Sequence, residues 1–228
     1  MVHGGPTSRT DKSYQPLKQY FASLGFAVLD INHRGSTGYG RAYRQRLLGQ
    51  WGEVDVMDIA DAIAYLITQD EVDARSIFIR GGSAGGYAVL RALTVYPDLF
   101  AGGACYYGIG NLITLSEITH KFEARYTDML VGEPFNPESA SAPKSRYRSR
   151  SPIFQMDKLT APVILFQGML DKVVPPEVTG EVVELLKSRG IPHAYTEYAN
   201  EGHGFRSAEN RIDSLERETG FFIDILKD

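Results

Sequence analysis

Short apolar runs alternate along the chain with stretches that repeat apolar residues at helical spacing. The runs are rich in β-branched and aromatic residues, which favours buried strands. We predict strands over 26–31, 76–80, 101–107, 162–167 and 193–198, and helices over 13–24, 55–68, 86–95, 177–189 and 208–226. Strands that alternate with helices of this length predict an α/β fold with a mostly parallel sheet and helices on both of its faces.

One segment interrupts this alternation. Residues 111–152 contain no clear strand, and 143–151 is strongly basic. One interpretation is a helix over about 117–130 followed by a solvated loop, and the other is a cap over the site. We expect an excursion that forms part of a pocket wall within a single domain spanning residues 1–228.

Composition narrows the class of protein. The 228 residues are 43% hydrophobic and 23% charged, which is typical of a soluble globular domain. The net charge of −4 favours neither nucleic acid nor an anionic membrane as a partner. A single cysteine, Cys105, rules out an internal disulfide and is compatible with a reducing cytosol, so we expect a cytoplasmic protein. The sequence contains no run of 18 apolar residues and no pattern of a leader peptide.

The segment 81–85, GGSAG, lies between a predicted strand and a predicted helix. A G-x-S-x-G sequence in that place is typical of a strained turn that lifts a serine hydroxyl toward a base. Glycines allow the turn to be tight, and the N–H of Ala84 at the start of the helix points toward a developing oxyanion. The sequence therefore predicts Ser83 as a nucleophile, with an ordinary glycine-rich turn as the alternative.

The base and its acid should follow other strands of the sheet. His203 lies in a glycine-flanked loop after the last predicted strand, whereas His193 begins that strand and is expected to be structural. Asp171 directly follows the preceding strand, where a carboxylate can orient the histidine and stabilise its protonated form. Asp157 and Asp213 are alternative acids, but one precedes a predicted strand and the other lies in a predicted helix.

The chain order Ser83, Asp171, His203 is the order of nucleophile, acid and base in α/β-hydrolases, and it predicts that fold. Residues 3–5 form an HGG segment, which in esterases supplies a second backbone N–H to the oxyanion hole. The residues point to no cofactor and no metal, because the sequence has no CxxC and its histidines do not pair with carboxylates at helical spacing.

Five segments spread over nearly the whole chain carry a family resemblance. They are HGGPTS, FAVLDINHRGSTGYGRAYR, RGGSAGGYAVLRAL, FQGMLDKVVPP and EGHGFR. Together they resemble the catalytic domain of the prolyl oligopeptidase family of serine peptidases, and most closely its acylaminoacyl-peptidase and dipeptidyl-peptidase-like branch. The resemblance implies a triad of Ser83, Asp171 and His203, with the oxyanion hole formed by the N–H groups of Gly5 and Ala84.

The resemblance also bears on the pocket and on the ends of the domain. It makes Tyr87, Tyr107 and His120 candidates for substrate binding, with Tyr87 also as a structural support near the site. Family members usually carry a β-propeller before this domain, and α/β-hydrolases place two or three strands before the HGG turn. We therefore expect an α/β-hydrolase fold with truncated N-terminal strands, whose exposed sheet edge favours a homo-oligomer.

The implied activity is hydrolysis of peptide or acyl-amino-acid amide bonds through an acyl-enzyme, with a short peptide or acyl-peptide as substrate. Two alternatives stay open. A carboxylesterase acting on small esters or amides uses the same triad, because the pocket and not the triad decides between them. A catalytically silent fragment that acts as an assembly module is the other alternative.

Overall fold

The computed structural model describes residues 1–118 and 121–227; for residues 121–124 it describes the backbone only. Four strands in this part of the chain form one parallel sheet in the order β1-β2-β3-β4. They are β1 (Phe78–Gly82), β2 (Gly102–Tyr106), β3 (Val163–Gly168) and β4 (His193–Tyr198). The parallel direction confirms the predicted sheet, and it brings the carboxyl ends of all four strands to one edge.

The five predicted helices are present with shifted ends. They are α1 (Pro16–Ser23), α3 (Val54–Thr68), α4 (Ala84–Val95), α8 (Pro176–Ser188) and α9 (Ala208–Ile225), with α2 (Gly40–Gln45) as a short addition. Apolar side chains of α3, α4 and α8 pack on one face of the sheet, and those of α1 and α9 pack on the other. No helix in the described part of the chain is long and apolar enough to cross a membrane.

The excursion over 111–152 is more ordered than the interpretation as one helix and a solvated loop. It contains α5 (Leu112–Ile118), α6 (Lys121–Val131) and α7 (Arg146–Arg150), followed by a 3₁₀ helix over Pro152–Lys158. Its basic part is partly buried: Arg150 is buried, and its guanidinium donates hydrogen bonds to the carbonyls of Trp51 and Val131. Backbone carbonyls thus satisfy a buried guanidinium, and charge alone did not predict this.

The prediction of a strand over 26–31 is wrong in this structure. Ile31 makes an isolated parallel bridge to Val2, which makes a second one to Gly81. An apolar cavity of about 460 Å³ lies between the remainder of the segment and β1. A strand requires a hydrogen-bonded neighbour, whereas the apolar pattern reports only burial.

Candidate active site

Ser83 occupies the sharp turn between β1 and α4, with φ at +58°. Its N–H donates to the carbonyl of Tyr106 over 3.0 Å, and its carbonyl accepts the N–H of Tyr87 over 2.9 Å. The turn requires a glycine before it, since a Cβ on Gly81 would lie 2.5 Å from the carbonyl oxygen of Gly85. A strained serine held between a strand and a helix is the geometry of a nucleophile elbow.

The HGG segment lies next to this turn. A Cβ on Gly4 would lie 3.6 Å from Cβ of Ser83. Gly5 has φ at +116°, and a Cβ there would lie 2.7 Å from the backbone nitrogen of Ser8. The fold thus brings the glycine segment predicted for the oxyanion hole to Ser83 and to the start of α4, where helix N–H groups favour negative charge.

Side chains from other parts of the chain hold the HGG segment in place. His3 Nε2 lies 2.7 Å from Ser36 Oγ, and its ring stacks on that of His33 with centroids 4.5 Å apart. Burial lowers the pKa of both imidazoles below the ordinary value, so both are neutral near pH 7. At the far end, Thr7 Oγ1 lies 2.8 Å from the hydroxyl of Tyr126 in α6. The resemblance implied that the turn over residues 34–36 supports the site, but the contacts themselves were not predicted, because they join positions far apart in the sequence.

Asp171 and His203 come from the loops after β3 and β4. His203 Nδ1 lies 2.8 Å from Asp171 Oδ2, while Asp171 Oδ1 accepts the N–H groups of Val173 and Val174 over 2.8 and 2.9 Å. The Asp171 side chain has no exposed surface, whereas 23% of the His203 side chain is exposed. A buried carboxylate with these three hydrogen bonds can orient the imidazole and stabilise its protonated form.

The structure separates this pair from the other candidates. Asp213 accepts a hydrogen bond from the hydroxyl of Tyr198, and Asp157 is exposed in the 3₁₀ helix. His193 begins β4 at the opposite end of the sheet, with Nδ1 2.7 Å from the carbonyl oxygen of Ile191. The residues that meet at the carboxyl edge are therefore those that the chain order singled out.

The three candidates for substrate binding have different outcomes. Tyr87 is fully buried, and its hydroxyl donates a hydrogen bond to the carbonyl of Arg150 over 2.9 Å. The prediction that Tyr87 binds substrate is therefore corrected, and its expected role as a structural support remains. Tyr107 lies against His203, with ring centroids 4.9 Å apart. His120 lies outside the described residues.

Glu201 shapes the loop that carries His203, and sequence reasoning missed it. Its buried carboxylate accepts hydrogen bonds from the N–H groups of Arg206 and Ser207 and from the side chain of Asn210, all over 2.8–2.9 Å. No local signal marks this role, because Glu201 stands seven residues before α9 begins and only the fold of the loop brings its carboxylate to the helix start. The acid stands two residues before His203 in the segment EGHGFR.

Other reactive groups do not compete with this centre. Cys105 is buried in β2, and burial raises the pKa of its thiol to about 12, so it carries no thiolate near neutral pH. Among the residues that the structure describes, no group of three or more His, Cys, Asp or Glu side chains could hold a metal ion. The arrangement can supply an activated hydroxyl, a base with an oriented ring and backbone donors for an oxyanion.

Comparison with known proteins agrees with this chemistry. The chain matches the prolyl oligopeptidase family over residues 12–228. It is 34% identical to dipeptidyl aminopeptidase BIII of Pseudoxanthomonas mexicana, over 92% of this chain and 30% of that protein. It is 32% identical to dipeptidyl peptidase family member 6 of Caenorhabditis elegans, over 93% of this chain and 29% of that protein.

Solved structures of a hydrolase and a peptidase have the same fold as this chain. A crystal structure of a puromycin hydrolase superposes with a TM-score of 0.92 at 40% identity, covering 100% of this chain and 33% of that one. The acylaminoacyl peptidase of Pyrococcus horikoshii superposes with a TM-score of 0.88 at 28% identity, covering 97% of this chain and 35% of that one. These neighbours confirm the α/β-hydrolase fold, and the chain spans about a third of the length of each relative.

Proposed function

The chain belongs to the prolyl oligopeptidase family, and we propose that it is a serine peptidase catalytic domain acting on short peptides or acyl-peptides. The observation that carries the proposal is the hydrogen bond between buried Asp171 and His203 close to the strained Ser83 turn. A single aromatic ring, that of Tyr107, contacts both His203 and the position of Gly82 before the serine. This arrangement supports Ser83 as nucleophile, His203 as base and Asp171 as acid.

The proposed reaction proceeds through an acyl-enzyme. His203 Nε2 takes the proton of the Ser83 hydroxyl while Oγ bonds to the carbonyl carbon of the substrate amide, and Asp171 stabilises the imidazolium. The N–H groups of Gly5 and Ala84 bind the carbonyl oxygen as it becomes an oxyanion. His203 then protonates the leaving nitrogen and the C–N bond breaks. Water, deprotonated by His203, attacks the resulting ester, and His203 returns the proton to Ser83 Oγ as the C–O bond breaks and the acid leaves.

The relatives guide the choice of test substrates. Several are named dipeptidyl or acylaminoacyl peptidases, which supports amide substrates with either a free or a blocked amino end. Puromycin joins the panel because a structure at 40% identity is that of a puromycin hydrolase. A cytoplasmic location is part of the proposal, and the single cysteine, which is free and buried, is compatible with it.

A fluorophosphonate probe and three classes of substrate test the proposal. The probe should label the full chain at Ser83, and Ser83→Ala should abolish the label. We expect turnover of an aminoacyl anilide, an acyl-amino-acid anilide or puromycin. Cleavage of a short-chain nitrophenyl ester alone would favour the carboxylesterase, and a folded chain that the probe does not label would favour the silent module.

A further inference from the structure

Two consecutive tyrosines at the end of β2 point to the same side of the sheet. Side chains of a strand alternate between its faces, and the strand obeys this rule at Cys105, which packs on the α4 face, and at Tyr106, which packs on the α9 face. Tyr107 should then return to the α4 face. Instead the rings of Tyr106 and Tyr107 both contact Phe205, with centroid distances of 6.0 and 5.5 Å.

The reversal comes from a strained backbone at Tyr107, whose φ is +37°. The α4 face has no room for a side chain at this level, since a Cβ on Gly86 would lie 2.7 Å from Cα of Gly108. Among the described residues other than glycine, only Asp70, Ser83 and Tyr107 have positive φ. Asp70 follows a helix end, where aspartate adopts this conformation readily. The two remaining strained residues both lie at the candidate active site.

The turned ring of Tyr107 fills the space between the nucleophile strand and the base. Its centroid lies 4.9 Å from that of the His203 imidazole, with the ring planes 60° apart. On the other side, a Cβ on Gly82 would lie 2.9 Å from Cε2 of Tyr107, so the ring lies against the residue before Ser83. The backbone is fixed as well, because the Tyr107 N–H donates to the carbonyl of Phe166 over 2.7 Å.

The hydrogen bond that the imidazole donates to Asp171 does not by itself fix the orientation of the ring. One bond at Nδ1 sets a distance, but it leaves the ring free to rotate about the line that joins His203 Nδ1 to Asp171 Oδ2. A ring packed against the imidazole restricts that rotation. It also provides an aromatic surface for the positive charge that the imidazole acquires during the reaction.

We propose that Tyr107 is a positioning residue, whose ring holds the imidazole of His203 in the orientation that receives the proton of Ser83. This assignment rests on the proposed function, and it replaces a direct role of Tyr107 in substrate binding. The hydroxyl of Tyr107 is not needed for this role, whereas the aromatic ring is. That distinction separates positioning from hydrogen bonding to substrate.

Variants of the full chain test the proposal by steady-state kinetics. Tyr107→Phe should keep kcat, whereas Tyr107→Leu should lower kcat by about 10- to 100-fold, the loss that a displaced catalytic group causes, with little change in KM. Tyr198→Leu is the matched control. Tyr198 packs on Phe205 with centroids 4.7 Å apart, so this variant removes a ring from the same cluster and should lower Tm without lowering kcat.

A second measurement does not depend on activity. In NMR spectra, the ring-proton signals of His203, assigned with His203→Gln, should stay narrow in Tyr107→Phe and should broaden or double in Tyr107→Leu, because the imidazole then samples several orientations. A change of position alone reports only the lost ring current of Tyr107. Equal kcat in the Phe and Leu variants, or imidazole signals that stay single and narrow in Tyr107→Leu, would overturn the proposal. A chain in which the probe does not label Ser83 would overturn the proposed peptidase instead, and the NMR spectra would still decide whether the ring holds the imidazole.

Discussion

Asp171→Asn should leave the fold intact and remove most of the activity. Asparagine has the same shape, and its oxygen can still accept the two backbone N–H groups that Asp171 Oδ1 accepts. Its NH₂ group then faces His203 Nδ1, which must become an acceptor, so the imidazole proton moves to Nε2. That nitrogen can no longer take the proton of Ser83. The corresponding change in a serine protease lowers kcat by about 10⁴-fold, which corresponds to about 5.4 kcal/mol of transition-state stabilisation.

The assay is steady-state hydrolysis of an aminoacyl anilide, with the rate of fluorophosphonate labelling as a second readout. KM should stay within about twofold, because the change acts on the transition state. Asp157→Asn is the matched control, since it removes the same charge from an exposed acid that sequence reasoning had kept as an alternative. A loss of less than about tenfold in Asp171→Asn, or similar losses in the two variants, would refute the role of Asp171.

Three further changes test other parts of the structure. Gly5→Ala should lower kcat/KM by about 10²–10³-fold, because the added Cβ would meet backbone and displace the Gly5 N–H. Gly25→Ala is the control, since it also has positive φ but lies in open space and should keep kcat/KM. Equal kcat/KM in the two variants would contradict the oxyanion role of Gly5. Burial raises the pKa of Asp55 from 3.8 to about 7, so the folded chain binds more protons between these pH values, and its free energy of unfolding should fall as pH rises through them. In Asp55→Asn, the free energy of unfolding measured in urea should not fall with pH in this way. The same fall with pH in the variant would refute the raised pKa of Asp55. Glu218→Gln should destabilise the fold by at most about 3–5 kcal/mol in the same assay, because it leaves the partly buried Arg80 cation without its buried anion. Adding Arg80→Met should recover most of this loss. A Glu218→Gln variant as stable as the parent would refute the stabilising role of this ion pair.

Much of the site was predictable because its constraints are local. The glycines around Ser83 are required by a tight turn, and a turn of this kind is visible in five consecutive residues. Asp171 and His203 could be placed by asking which residues follow buried strands, since parallel strands bring their carboxyl ends to one edge. The structure brings this acid and this base within hydrogen-bonding distance.

The errors have a common physical origin. The segment 26–31 has the apolar pattern of a strand, but a strand exists only with a paired neighbour, and Ile31 alone makes a bridge. Tyr87 was a candidate for substrate binding through the family resemblance, yet its hydroxyl is buried against the carbonyl of Arg150. Arg150 itself belongs to a basic stretch that charge alone predicted to be solvated.

The sequence by itself determined the family and the parallel sheet, and it singled out Ser83, Asp171 and His203 as candidates, because these depend on short motifs and on the order of strands and helices. Only the tertiary structure decided which side chains support them. Tyr107 turns toward His203 because close packing of α4 against the end of β2 leaves no room on the other face. Such a constraint arises between segments distant in sequence, so no local pattern records it.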